Sequence, residues 1–483
     1  DTTWFDNTKT SFEIKTPAQL AGLAALVNGD AKDQNNTALA ANDMAGKTFI
    51  LINDLDFSGK EWTPIGKTLA PEDATPENYN EKATNFYFKG TFNGNKNTIK
   101  NLTHTIENTV SVGLFGNTLN ATIQNLTLEN VNILGHYGVA AIAGYVYDGS
   151  TIENCHVTSG TIKGADCAVG GIAGQISNMD EHSSGAITIK DCTNAAPVSM
   201  EYSDYKAITD TEPFFTKHRG WHFGGIFGSV STTTTPANTL NTVITGCTNT
   251  GDITGTQLGG IGSFFYSGSG SSIENCTNTG KLTQPLTAPV GNVGAAGGII
   301  SYNNISAVNN CTNEGTIYTA GGLKEALSLS KKGTYVQSPK IELIENIELD
   351  GSSTIPQGVT LTIPERQTLT IPADKKLTND GTIINHGKII CKGVISGTGS
   401  IEGNQPEISQ ITLNPTSATI TGTAGTAIAE YDLTQKITVE NDAAIGDVTY
   451  AVKEGSSLPD GLKLENGKVT GTPRAAGVLK NKK

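Results

Sequence analysis

The sequence predicts an all-β chain: a right-handed parallel β-helix solenoid with a short N-terminal capping helix, followed by a β-sandwich. Three observations predict it. A four-residue phrase (Ile, a variable residue, Asn or a similar residue, then Leu or Cys) recurs along the first two-thirds of the chain. A glycine-rich phrase interleaves with it. The composition, 56 Gly and only 16% charged residues among 483, suits many short strands joined by tight turns and suits long helices poorly.

The first phrase occurs as Ile99-Lys100-Asn101-Leu102, Ile123-Gln124-Asn125-Leu126, Ile152-Glu153-Asn154-Cys155 and Ile189-Lys190-Asp191-Cys192. It returns as Ile244-Thr245-Gly246-Cys247, Ile273-Glu274-Asn275-Cys276 and Val308-Asn309-Asn310-Cys311. Its two apolar residues are three positions apart, so a straight strand would send them to opposite faces. Asn, Asp or Gly between them tolerates a left-handed backbone and permits a bend that turns both inward. The variable residue then faces out, and it is polar in every copy. Leu102 to Cys311 are successively 24, 29, 37, 55, 29 and 35 residues apart, which fits a coil with insertions at its corners. A propeller would need hairpins within each repeat, and Asn-Gly turn signals are sparse.

The other elements follow in order. Thr16-Pro17 starts a helix over 17–28, whose face is Leu20, Leu23, Leu26 and Val27 and which Gly29 ends. This helix caps the first rung, which would otherwise offer an open edge. An early strand runs from Thr48 to Leu55, and the polar stretch from Pro71 to Lys82 is a loop. Repeated coils occupy 90–320, a joining segment spans Gly321 to Lys340, and shorter coils fill 340–404. The β-helix therefore spans 1–404. At Asn404-Gln405-Pro406 the repeat stops, and 405–483 reads as separated strands of a sandwich, shorter than a complete one.

Val112-Gly113-Leu114-Phe115-Gly116, Val139-Ala140-Ala141-Ile142-Ala143-Gly144 and Val169-Gly170-Gly171-Ile172-Ala173-Gly174, with the Asn-Cys phrases between them, resemble GLUG-repeat bacterial surface proteins. So do Asn53-Asp54-Leu55-Asp56-Phe57, Trp62-Thr63-Pro64-Ile65-Gly66 and Phe88-Lys89-Gly90-Thr91-Phe92-Asn93-Gly94 near the start. The resemblance covers roughly residues 10–320; the copies ending Ile261-Gly262-Ser263 and Ile299-Ile300-Ser301 lack the final Gly. Leu458-Pro459-Asp460-Gly461-Leu462 and Gly467-Lys468-Val469-Thr470-Gly471-Thr472-Pro473 resemble the Ig-like domains of bacterial surface proteins, which makes the sandwich Ig-like and truncated. The two resemblances imply export, surface display and an adhesin-like modular build. Members of the repeat family also occur beside peptidase domains. The start at Asp1, without Met or signal peptide, reads as a mature or trimmed chain.

The chemistry points to binding. A net charge of −13 without a basic cluster disfavours nucleic acid. No apolar run is long enough to span a bilayer, so no membrane insertion is expected. A β-helix enzyme needs carboxylates clustered on one outer face. The aligned bend column offers amides (Asn101, Asn125, Asn154, Asn275, Asn310), with Asp191 the one acid. Gly66-Lys67-Thr68 has Glu61 where a phosphate loop needs its first Gly, and Gly397, Gly399 and Gly403 miss the dinucleotide spacing. Asp54, Asp56 and Ser58 fit a polar turn better than a calcium site. Gly220 argues against a metal-binding helix carrying His218 and His222.

One segment stands out. The 55 residues from Cys192 to Cys247 hold Tyr202, Tyr205, Phe214, Phe215, Trp221 and Phe223, with Lys217, His218 and Arg219 among them. Two readings stand: a recognition loop for a sugar or a protein, or an insertion packing its own aromatics against the coil. On the first, Trp221 and Arg219 are the leading ligand-binding residues, with Tyr202, Tyr205 and His218 beside them. The expectation is thus a monomeric extracellular adhesin or scaffold engaging a glycan, or a host or bacterial surface protein, with no cofactor, no metal and no catalytic residue. The alternatives are a β-helix polysaccharide lyase or hydrolase and a passive stalk.

Overall fold

The structure is a computed structural model. It describes all residues except 70–81, 179–184, 202–219, 232–240, 267–269, 285–295, 304–306, 320–339, 409–411, 415–418, 437, 441–449, 453, 455–456 and 476–483. It is a parallel β-helix, as the repeat predicts. Two compact units divide at Glu342/Leu343. None of the described helices is long and apolar enough to cross a membrane.

In the first unit the coils contribute strands to three parallel sheets. The first sheet stacks Ser11–Ile14, Thr48–Leu51, Thr91–Asn93, Thr122–Glu129, Thr151–Val157, Ile187–Lys190, Thr242–Thr245, Ser272–Glu274 and Val308–Asn309. The second runs from Phe115–Thr118 through Ala143–Val146, Ala173–Ile176, Phe227–Val230 and Gly262–Phe265 to Ile300–Asn303. The third includes Val131–Val139, Gly160–Gly170 and Trp221–Gly224. Equivalent residues lie side by side: Ile123 beside Ile152, Ile152 beside Ile189, Ile189 beside Ile244 and Ile244 beside Ile273. All five isoleucines are buried. The capping helix is Pro17–Asn28, with the Thr16 side chain accepting from the Gln19 N–H and Gly29 at φ 70° closing it. Asn28 lies on its buried side. It donates through Nδ2 to the Pro64 carbonyl and accepts the Gly66 and Lys67 N–H groups, which ties the cap to the first coils.

The bends are as the phrase requires. Asn125, Asn154, Asp191, Gly246, Asn275 and Asn310 all have positive φ between 51° and 66°. One copy is misplaced by the sequence reading. Ile99 lies beside Leu128 and Lys100 beside Glu129, while Asn130 Nδ2 donates to Asn101 Oδ1 at 2.6 Å. Ile99-Lys100-Asn101-Leu102 therefore forms the next corner of the coil, and Leu102 is not equivalent to Leu126. Both corners obey the same local rule, an apolar pair around a left-handed residue, so spacing alone cannot tell them apart. The residues that precede Ile123 in its own column are Phe92 and Phe49.

Two buried ladders run inside the coil. Leu126 lies beside Cys155, and Cys192, Cys247, Cys276 and Cys311 continue the column. These five thiols are free and buried. Each points to the carbonyl two residues back, at 3.2–3.4 Å. Two residues on, Asn194 Nδ2 donates to Asn249 Oδ1 at 2.9 Å, Asn249 to Asn278 at 2.8 Å and Asn278 to Asn313 at 2.7 Å. Every one of these amides also donates to a carbonyl of its own corner. An interior polar group is tolerable only when so satisfied.

The second unit has shorter coils. Thr360–Ile363, Thr382–Asn385 and Ser400–Gly403 stack as one face, Lys376–Asn379 and Val394–Ser396 belong to another, and Thr368–Ile371, Lys388–Cys391 and Glu407–Ile408 to a third. Parallel pairing extends to Ile408, beside Cys391. Beyond it, the described residues form small antiparallel sheets: Thr412–Asn414 with Thr438–Glu440, and Tyr431–Asp432, Lys468–Gly471 and Leu462–Glu465 together. The shorter coils and these strands fall in one compact unit, Leu343–Lys483.

Two tests follow from the ladders. Asn154→Ala should cost about 1–2 kcal/mol, because alanine resists the left-handed bend. Asn154→Gly should cost less, since Gly246 already serves in that column. Urea midpoints measure both, and equal losses would assign the cost to the Asn154–Asn125 hydrogen bond instead of the backbone. The second test concerns the thiols. A hydrogen bond with Cys247, together with burial, pushes the Cys276 thiol up to about 12. A thiol in the unfolded chain ionises near about 8.5. The unfolded chain thus loses its proton first, so this share of stability is whole below pH ~8.5 and is lost as pH rises toward ~12. Cys276→Ala should reduce the fall in urea midpoint between pH ~8 and ~10.5; an unchanged fall would clear this thiol of the effect.

Candidate functional site

Of the predicted ligand-binding residues, Tyr202, Tyr205, His218 and Arg219 lie outside the described residues. Trp221 and Phe223 do not belong to a loop. They form the strand Trp221–Gly224, with Trp221 beside Cys167 and Phe223 beside Val169 and Leu258. Phe223 is buried in the coil and Trp221 is half-buried. Between them, His222 has φ 60°, the bend that Ser111, Gly138 and Ala168 make at the same place in earlier coils. Ser, Gly, Ala and His share no chemistry, so this bend column leaves no signature in the sequence. The His222 ring stacks on Phe264 at 4.8 Å, and its Nδ1 is 3.5 Å from Cys167 Sγ.

The outer carboxylates are engaged locally. Asp56 accepts from the Ser58 hydroxyl and N–H and from Asn101 Nδ2, and these bonds hold its carboxyl down at about 2. Asp54 accepts the Thr98 N–H at 2.8 Å. Asp56 thus ends a short strand, Leu55–Asp56, and closes the turn at Ser58-Gly59, while Asp54 bonds to the neighbouring coil. Glu153 pairs with Lys190, Glu129 with Lys100 and Glu201 with Lys163. Among the described residues, no group of three or more His, Cys, Asp or Glu could hold a metal ion.

A tyrosine strip crosses the outer flank. Tyr145 and Tyr147 alternate outward on the strand Ala143–Val146 and just beyond it, with ring centroids 5.6 Å apart and planes 20° from parallel. Tyr137 lies 6.1 Å from Tyr145 at 28°, and Tyr87 meets Tyr147 edge-on at 5.8 Å. All four rings are half-buried. The Tyr145 ring lies over Gly138, where an added Cβ would come within 2.3 Å of its Cε2. At Tyr87 the strip reaches a shallow cavity of about 390 Å³ lined by Asn42, Asp43, Asn85 and Phe86. Burial opposes ionisation of Asp43, but hydrogen bonds from Lys89 and the Ala45 N–H hold its carboxyl below the usual range. The sequence reading missed the strip because its tyrosines are scattered singly.

Residues 65–159 match the family described as M26 IgA1-specific metallo-endopeptidase N-terminal region. That segment holds all four tyrosines. Over 96 residues the chain is 42% identical to halomucin of Haloquadratum walsbyi, a match covering 20% of this chain and 1% of halomucin, so the chain spans only a small part of that relative. A crystal structure of a candidate immunoglobulin A1 protease from Bacteroides ovatus aligns with a TM-score of 0.40 at 17% identity, covering 65% of this chain and 76% of that one. The family match supports a secreted or surface protein. It also overturns the expectation that the chain is not an enzyme, since it ties the coils to a protease family. The amide-rich column behind that expectation is a single corner position along the coils, whereas the match runs over residues 65–159 as a whole.

Trp221→Ala should destabilise the fold by about 1–3 kcal/mol, as loss of a partly buried ring from a rung does. Thermal unfolding measures this, and an unchanged midpoint would return Trp221 to the insertion.

Proposed function

We propose that this chain is the solenoid recognition region of a secreted, surface-displayed protein of the M26 metallo-endopeptidase kind, and that it holds an extracellular partner against its flank. The observation that carries the reading is the match at 65–159, which falls on the coils themselves. The physics agrees with it. Stacking fixes the interior of every coil, while the outward residues vary from rung to rung, so a solenoid offers a long, rigid surface for binding. Such a surface can position a large substrate for cleavage or serve as an adhesin. The description of the matched family names immunoglobulin A1, which makes that glycoprotein the first partner to test.

The chain is immobilised and immunoglobulin A1 is passed over it, while a parallel digest with and without zinc or a chelator is followed by gel. Saturable binding at micromolar concentration or tighter is expected, and the chelator should leave it intact. Absence of both binding and cleavage would sink the reading. Cleavage abolished by the chelator would extend it, placing the peptidase chemistry in this chain.

A further inference from the structure

We propose that the column of thiols from Cys155 to Cys311 is a binding site for soft metal ions that take two sulfur ligands in line, such as Cu(I) and Hg(II).

The column repeats closely from coil to coil. Each Sγ lies 3.2–3.4 Å from the carbonyl two residues back. Each also lies 3.6–3.9 Å from an isoleucine carbonyl of the preceding coil. The five side chains therefore share one orientation, and neighbouring sulfurs are separated by one strand spacing, about 4.8 Å. That distance decides the chemistry. A disulfide needs its sulfurs about 2.05 Å apart, so it would have to pull two coils together. Two metal–sulfur bonds of about 2.3 Å each, laid end to end, span about 4.6 Å. Side chains stand across the sheet, so an ion between two sulfurs meets each at nearly a right angle to its Cβ–Sγ bond, the bent geometry that sulfur prefers.

The surroundings select the ion. Zinc and calcium need four or more ligands, and among the described residues no three His, Cys, Asp or Glu side chains could hold one ion together. Thiolates favour soft ions. Each metal–thiolate bond forms as a thiol gives its proton to solvent. A divalent ion that displaces two protons, or a monovalent ion that displaces one, leaves the pair without net charge, which spares the apolar interior a buried ion. Cys311, at 7% exposure, is the open end of the column, whereas the other four thiols are fully buried. Ions enter there and reach the inner sulfurs as the coils open locally.

Ions on both sides of one sulfur would set its two metal bonds in opposite directions, so each sulfur serves one ion. Five sulfurs thus hold two ions and leave one thiol over. This pairing makes removal of a thiol depend on its place. Without Cys192 or Cys276, an end thiol is isolated and the remaining three in a row hold one ion. Without Cys155, Cys247 or Cys311, two adjacent pairs remain.

The whole chain is loaded without oxygen with Hg(II) or Cu(I) and washed with N-acetylcysteine to strip singly held ions. Bound metal is counted by mass spectrometry under native conditions. At least one of the two ions should be held at two per chain, with two sulfur neighbours by X-ray absorption. The count should halve in Cys192→Ala and Cys276→Ala. It should stay unchanged in Cys155→Ala, Cys247→Ala and Cys311→Ala, and in Cys167→Ala and Cys391→Ala, whose thiols lie outside the column. Circular dichroism confirms that each variant is folded; if Cys192→Ala is not, Cys276→Ala decides. Loss of all metal to the competitor, an equal drop in all five column variants, or metal held only after the coils have unfolded would each overturn the inference.

Discussion

Each coil must turn its corners without turning its apolar side chains out, and the rest of the solenoid depends on how this is done. The means is a residue with positive φ, held in register from coil to coil. Asn125, Asn154, Asp191, Gly246, Asn275 and Asn310 form one such column. Glycine takes this conformation without strain, but asparagine adds a side chain that can bond along the stack, as Asn154 Nδ2 does to Asn125 Oδ1 at 2.8 Å. The corner thus sets both the direction of the chain and its register. A slip of one residue would turn every buried isoleucine outward.

The interior shows how this constraint selects residue types. A column can hold any small side chain that fills its space and satisfies its polar atoms. The thiols from Cys155 to Cys311 act as compact apolar fillers with a weak donor aimed at a nearby carbonyl. The amides from Asn194 to Asn313 are costlier to bury, and each is bonded both to the next rung and to its own corner. A buried amide left without these partners would cost about 1–3 kcal/mol, so the ladder holds the coils at a common spacing.

Because the interior is so constrained, variation from rung to rung is confined to the outside. There Glu129, Glu153 and Glu201 are each paired with a lysine and Asp56 is closed into a turn, while the aromatic groups run in continuous contact from Tyr87 to Tyr137. The family match covers the same coils.

The sequence by itself determined the β-helix, the capping helix at Pro17–Asn28, the left-handed corners and the inward cysteines. All of these are local: a cap, a bend or an apolar pair is written in three or four neighbouring residues. Tertiary structure alone decided which corner Ile99-Lys100-Asn101-Leu102 occupies, because two corners share one local pattern and only pairing across coils separates them. It also decided that Trp221 belongs to a rung, since the bend at His222 is defined by stacking on Ala168 and not by residue type. The tyrosine strip was decided the same way. Tyr87, Tyr137, Tyr145 and Tyr147 are up to 60 positions apart in the chain, and the coil brings them together through the parallel register of its rungs and the room left at Gly138.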